Sequence, residues 1–326
     1  MTTEGTGDNA GQNGGPVDPG ANSNEPASAG GAGLEIAASP QRVSGMRVPA
    51  DGWTLPGKPD GLDPAAEDAW RQTGFNLAED LQLVADGLDI QARFAAAGYT
   101  PGARNMTMAG FATLWSRALL TTSDAVGLVR RGAYQSAVPL ARQAVELVTA
   151  QTGLTNELDA WRRWTHEAYG RDEASRSVEQ GVGHYFSGET IATDDELRVI
   201  YRAASDFGRP NFGPSALFSA NEANHERYPL IFGDQAFHAG WAELLLGWLL
   251  RTSTKQIHLA LHLESLFPAS AELRERAVAH VRAVEAQLAD ERRCRVEEYT
   301  DGDGRKHVLL AEFRRQPSDQ GKRLLF

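Results

Sequence analysis

Residues 111–148, FATLWSRALLTTSDAVGLVRRGAYQSAVPLARQAVELV, decide the fold class. Phe111, Trp115, Ala118, Thr122, Val126 and Val129 recur at three- and four-residue steps, the spacing of one buried helix face. The pattern stops at Gly132, a helix-terminating residue. It resumes with Tyr134, Val138, Ala141, Val145 and Val148. Pro139 lies inside this second pattern. Proline is harmless only in a first turn, where N–H groups lack partners in any case, so the helix is expected to start near Gln135.

The same period extends in both directions. Asp63-Pro64 reads as an N-cap followed by proline at the first helical position. A face of Trp70, Leu77, Leu81, Val84 and Leu88 follows, ending at Gly98 and Pro101. Polar helices are expected over 156–169 and 172–186. Thr193-Asp-Asp-Glu196 reads as a capping box ahead of Leu197, Ile200, Tyr201 and Ala204, with Gly208 and Pro210 as the stop. Residues 211–233 read as irregular, with short strands at Leu217-Phe218 and Leu230-Ile231-Phe232. Asp234 is expected to cap a long helix carrying Phe237, Trp241, Leu245, Trp248 and Leu249. After Pro268, the positions Leu273, Ala277, Val281, Val284 and Leu288 repeat like a bundle or coiled-coil seam. The period then changes. Asp301-Gly-Asp-Gly304 separates two alternating runs, 295–300 and 307–313, which predicts a β-hairpin packed on the bundle or on a partner. No internal repeat of 20–50 residues is visible.

The expected fold is an all-α, multi-helix bundle with a disordered N-terminal tail and a small C-terminal β-hairpin. Residues 1–60 hold 12 of the 33 glycines and 7 of the 15 prolines, a composition that cannot bury enough surface to fold. The expected division is therefore a tail over 1–60, a helical domain over 61–293, and a hairpin with the C-terminal end over 294–326.

Composition also narrows function. The 326 residues carry a net charge of −11, with −4 in the tail and −7 in the body, which argues against nonspecific nucleic-acid binding. Cys294 is the single cysteine, so no disulfide within the chain and no cysteine-based metal cage can form. The densest apolar run, 237–250, contains His238 and Glu243 and is too short for a bilayer, which needs about 20 residues. No basic start leads into an apolar run, so no secretory signal is read and a cytoplasmic location is expected.

Several constellations approach known chemistry. Gly52-Trp-Thr-Leu-Pro-Gly57-Lys58 has phosphate-loop spacing, but Pro59 replaces the metal-binding hydroxyl and no strand precedes it. Asp301, Asp303 and Glu312 fit a calcium loop only with Arg305 and Lys306 at its centre, so a hairpin turn is the better reading. Glu222-Ala-Asn-His225 has the spacing of a di-iron half-site without a second half. His258 and His262 stand one helical turn apart and are the candidate metal ligands, with His238 or Glu243 as a third. Cys294, beside Arg292 and Arg293, could be a lowered-pKa thiol, but a lone thiol without a base reads better as inert. The run Arg251-Thr-Ser-Thr-Lys-Gln256 interrupts the most apolar helix. It reads as an exposed segment leaving the core or, alternatively, as the lining of a cleft. No nucleophile elbow, dinucleotide fingerprint or cofactor motif is present.

The segment Leu128-Val-Arg-Arg-Gly132-Ala-Tyr-Gln-Ser-Ala137, continuing Leu140-Ala-Arg142-Gln-Ala-Val-Glu146, resembles a recurring pattern of uncharacterised bacterial all-helical proteins and, more loosely, HEPN-type domains. Tyr201-Arg-Ala-Ala-Ser205-Asp-Phe-Gly-Arg209-Pro210-Asn211 resembles a Ser-x-x-x-His-Pro segment of the same proteins, with Arg209 in place of the histidine. The matching pieces span residues 128–211. The resemblance implies a metal-independent ribonuclease in which an arginine steadies the phosphate and a histidine on the same helix acts as acid or base. Arg251 with His258 and Arg274 with His280 have the implied spacing. Function is therefore expected to be noncatalytic partner binding or self-association, with the HEPN-like ribonuclease, the only reading that involves RNA, and a His258/His262 metal enzyme as alternatives. No cofactor and no membrane is expected.

Overall fold

The computed structural model describes residues 44–48, 52–99, 104, 106–156, 159, 194–220, 223 and 226–325, all within one compact unit, Ala37–Phe326. Among the described residues the chain forms α1 (Pro64–Asn76), α2 (Ala78–Gly98), α3 (Met106–Arg130) and α4 (Tyr134–Asn156). It continues with α5 (Asp195–Gly208), α6 (Phe212–Ser219), α7 (Ala239–His262) and α8 (Ala271–Leu288). Strands β1 (Arg295–Thr300), β2 (Lys306–Phe313) and β3 (Lys322–Leu325) close it. The fold is an all-α bundle with a small antiparallel sheet of order β1-β2-β3. The expected hairpin is present and gains a third strand.

The central hairpin forms as its sequence reads. Gly132 takes φ +72°, and Ala133 N donates to Leu128 O at 2.9 Å, the left-handed ending of α3. A Cβ at Gly132 would stand 2.0 Å from Gln235 O, so this turn admits only glycine. Helix α4 starts at Tyr134, one residue before the expected start, and Pro139 sits just past its first turn. Asp63 caps α1 through Ala65 N (2.9 Å) and Ala66 N (3.1 Å). The face from Trp70 to Leu88 is divided between two helices, because the backbone breaks at Leu77.

Helix α7 is the core helix, packed against α2, α3, α4 and α8 and buried over most of its circumference. Its start differs from expectation. Asp234 accepts from Ala236 N in a turn, and α7 begins after His238, whose Nδ1 accepts from Trp241 N at 3.3 Å. The first N–H groups of α7, on Ala239 and Gly240, donate to Arg315 O and Arg314 O, each at 2.8 Å. The chain leaving β2 thus satisfies a helix terminus that a local acidic cap was expected to serve.

Three other expectations change. Asp194 caps α5, accepting from Leu197 N at 2.9 Å; Thr193 of the expected capping box lies outside the described residues. Residues 212–219 form α6 rather than strand, and residues 230–232 are not strand. Thr252, Ser253, Thr254 and Gln256 are buried rather than exposed. The two threonines donate to carbonyls one turn back, on Trp248 (2.8 Å) and Leu250 (2.9 Å). Ser253 accepts from Gln91 Nε2 at 2.7 Å, and Gln91 Oε1 accepts from Trp115 Nε1 at 2.9 Å. The polar interruption in α7 therefore lies within the core rather than leaving it; Thr252, Ser253 and Thr254 are hydrogen-bonded there, while the Gln256 amide is buried without a partner.

The sheet is fastened by buried charge. Arg293 grips Asp80 with two nitrogens (2.9 and 2.7 Å), and Gln287 Nε2 adds a bond of 2.8 Å. Glu243 accepts from Arg314 Nη2 (3.0 Å) and from Cys294 N (2.9 Å). Phe313 packs between His238 and Trp241, tilted against the first and edge-to-face with the second, with centroids 4.5 and 5.4 Å away. Ahead of α1, Val48, Trp53 and Leu55 pack on the core, so the end of the Gly/Pro-rich segment lies on the bundle. The helices expected over 156–169 and 172–186 fall almost wholly outside the described residues.

Candidate binding cleft

Helices α4 and α5 pack side by side and leave a cleft of about 770 Å³. Arg142, Gln143 and Glu146 come from α4; Tyr201, Arg202, Ser205 and Asp206 come from α5. These residues face one another because Ala141, Val145, Ile200 and Ala203, elsewhere on the two helices, are buried in the core. Arg142 Nη2 donates to Glu146 Oε1 and to the Tyr201 hydroxyl, each at 3.1 Å, and its guanidinium lies 4.9 Å from the Tyr201 ring centroid. Burial works against the charge of Arg142. The hydrogen bond donated to Tyr201 and the attraction of Glu146 outweigh it and hold the guanidinium above its ordinary pKa. Arg202 pairs with Glu298 of β1 at 3.1 Å, and Arg209 with Asp206 at 3.3 Å.

A second cavity of about 470 Å³ shares Pro139, Gly208 and Arg209 with the first. Tyr134, Phe207, Pro210 and Phe218 make its walls more apolar. Pro139 has no N–H to donate to Gln135 O in α4, and both residues line this cavity. Beyond it, Phe212 is 78% exposed and Phe232 is 100% exposed, while Phe212 and Tyr228 stack at 6.1 Å. The two cavities adjoin at Pro139, Gly208 and Arg209, the first lined by charged side chains and the second by Tyr134, Phe207 and Phe218.

The expected site residues lie elsewhere. Arg251 pairs with Glu196 at 3.2 Å, and the neighbouring Lys255 bonds Asp194 (2.9 Å) and Glu196 (2.7 Å). His258 and His262 are exposed further along α7. Arg274 pairs with Glu264 at 2.9 Å, while His280 is buried against α2 at Gly87 and against Ser253 of α7. Burial holds His280 below its ordinary pKa. Arg274 and His280 therefore do not meet at one site. The proposed third ligands do not reach His258 and His262. His238 caps the far end of α7, about 30 Å away at 1.5 Å per residue, and Glu243 is committed to Arg314. No group of three or more His, Cys, Asp or Glu able to hold a metal occurs among the described residues. Glu222 and His225 lie outside them.

Cys294 follows the inert reading rather than the reactive one. Its thiol is buried, and burial, followed by the charge of Glu243, pushes its pKa far upward despite Arg293 and Arg314. In the phosphate-loop look-alike, Trp53 N donates to Asp89 Oδ1 at 3.0 Å. Asp301 Oδ1 accepts from Asp303 N and Arg305 N, the bonds of a turn rather than of a calcium loop. The Arg142–Glu146 pair was visible in sequence as an i, i+4 spacing. Nothing in the pattern shows that α5 brings Tyr201 beneath it. Comparison of the chain with protein-family models, with curated proteins and with solved structures finds no match.

Proposed function

We propose that the protein is a noncatalytic helical binding protein of the cytoplasm, and that a segment of a protein partner docks in the α4–α5–α6 groove. The observation that carries this reading is the joining of two recesses, about 770 and 470 Å³, beside aromatic side chains left in solvent. Together they exceed what one small ligand fills, and large apolar groups at a polar rim mark interaction surfaces. The charged end offers Arg142, Gln143 and Arg202 for polar contacts, and the apolar end offers Tyr134, Pro139 and Phe218. Self-association loses its main sequence support, because Ala277, Val281 and Val284 of the α8 seam are buried within the chain. No described helix is long and apolar enough to cross a membrane.

The test is a random-peptide display selection on the full chain, counter-selected against Ser205→Trp, which fills the cleft. Peptides that bind the wild type and lose at least tenfold in affinity on Ser205→Trp are expected. Failure to enrich such peptides contradicts the proposal, as does RNA cleavage in chelator-treated buffer that His258→Ala or His280→Ala abolishes.

A further inference from the structure

The exposed apolar side chains around α6 belong to one surface. Residues 228–232 run back along this helix. Tyr228 stacks on Phe212 at its start, and Ile231 N donates to Ser219 O, 2.8 Å away, at its end. Leu230 and Phe232 stand in solvent beside them. The exposed parts of these five side chains come to roughly 600 Å², against about 800 Å² that each copy contributes to a standard dimer interface. A patch of that size is at the upper end of what a monomer leaves uncovered.

The second cavity opens on the same helix. Ser215, Phe218 and Ser219 of α6 line it, together with Gly233, the residue after Phe232. An apolar cavity of about 150 Å³ takes up benzene, so a recess of about 470 Å³ walled by Tyr134, Phe207 and Phe218 admits a phenyl ring. The molecule thus carries a fully exposed aromatic knob and an open aromatic hole side by side. Such a surface is complementary to itself, because a two-fold axis lets each copy fill the other. The cavity wall holds one charge of each sign, Arg209 and Asp234, so two copies bring no excess of like charge together. The net charge of −11 disfavours the anionic lipid surface that an exposed aromatic loop could otherwise enter.

We propose that the segment docked at the groove is residues 228–232 of a second copy of this chain, with Phe232 of each copy seated in the second cavity of the other. The proposal rests on the reading of the groove as a docking site for a protein segment.

The experiment is sedimentation velocity on the full chain across the micromolar range, where a dimer is expected. Phe232→Asp removes the knob and Ser215→Trp fills the hole. Each is expected to weaken dimerisation at least about tenfold, as loss of a central apolar anchor does. Gln135→Trp serves if circular dichroism shows Ser215→Trp misfolded. An equimolar mixture of the knob and hole variants keeps one intact pair and is expected to form heterodimers. Wild type that stays monomeric overturns the proposal, as does a monomer that pellets with phosphatidylcholine vesicles through Phe232. So does a dimer that survives Phe232→Asp, or one that Phe232→Asp abolishes and Ser215→Trp leaves intact, which would mean that the patches meet outside the cavity. A monomeric wild type that still binds groove-selected peptides would overturn the second copy alone and leave the docking site standing.

Discussion

At the residue scale, two buried groups set the response to pH and charge. Desolvation, followed by the positive charge of Arg315, holds His238 down to about 3. The unfolded chain therefore binds a proton there that the folded chain refuses. Stability is complete above the unfolded value of about 6.5 and falls as pH drops from there toward 3, at about 1.4 kcal/mol per pH unit. Urea unfolding at pH 7 and pH 5 is expected to differ by about 2 kcal/mol from this residue. His238→Asn keeps an N-cap oxygen and is expected to remove that part of the slope; an unchanged slope would assign it elsewhere. Asp80 is the second group. Asp80→Asn leaves Arg293 buried without its anion, and a loss of about 3–5 kcal/mol is expected by denaturant titration. Gly52 is a third sensitive position. It has φ +85°, and a Cβ there would stand 2.4 Å from Asp89 Oδ1. Gly52→Ala is expected to release the segment ahead of α1, read as faster amide exchange at Trp53, with α1 to α8 intact.

At the element scale, sequence and structure agree where burial is decided locally and part where it is decided at a distance. The face of α3 was legible because its apolar spacing needs no partner to be recognised, and so was the Gly132 turn. Helix α7 was misread at both its start and its middle. Its first N–H groups are satisfied by Arg314 O and Arg315 O, more than seventy residues away, which no local cap motif can reveal. Its polar run reads as surface because the partner of Ser253, Gln91, comes from another helix and is itself held by Trp115 of a third. The sheet tests this long-range fastening. Arg314→Leu strips Glu243 of its charge partner inside the core. Hydrogen exchange is expected to accelerate through β2 and the first turn of α7 while α3 and α4 stay protected. Uniform acceleration would mean that the sheet and bundle unfold as one unit.

At the scale of the whole molecule, the fold class was legible throughout, because helical period dominates the described chain and strand period appears only at its end. The candidate site was legible in halves. Arg142 with Glu146, and Tyr201 with Ser205, stood out as two short patterns, yet only tertiary packing sets α4 against α5. The histidines drew attention by chemistry alone, and the bundle disperses them along α7 and α8. The groove gathers side chains that sequence spacing separates by about sixty residues, and exposed Phe212 and Phe232 stand close in sequence to Pro210 and Gly233, which line it.

The most direct measurement of that claim is the hydrogen-exchange footprint of a selected peptide on the full chain. The account predicts protection confined to residues 134–146 and 201–219, with the exposed stripe of His258 and His262 on α7 unchanged. Protection along α7 and α8 with none in α4 or α5 would contradict it.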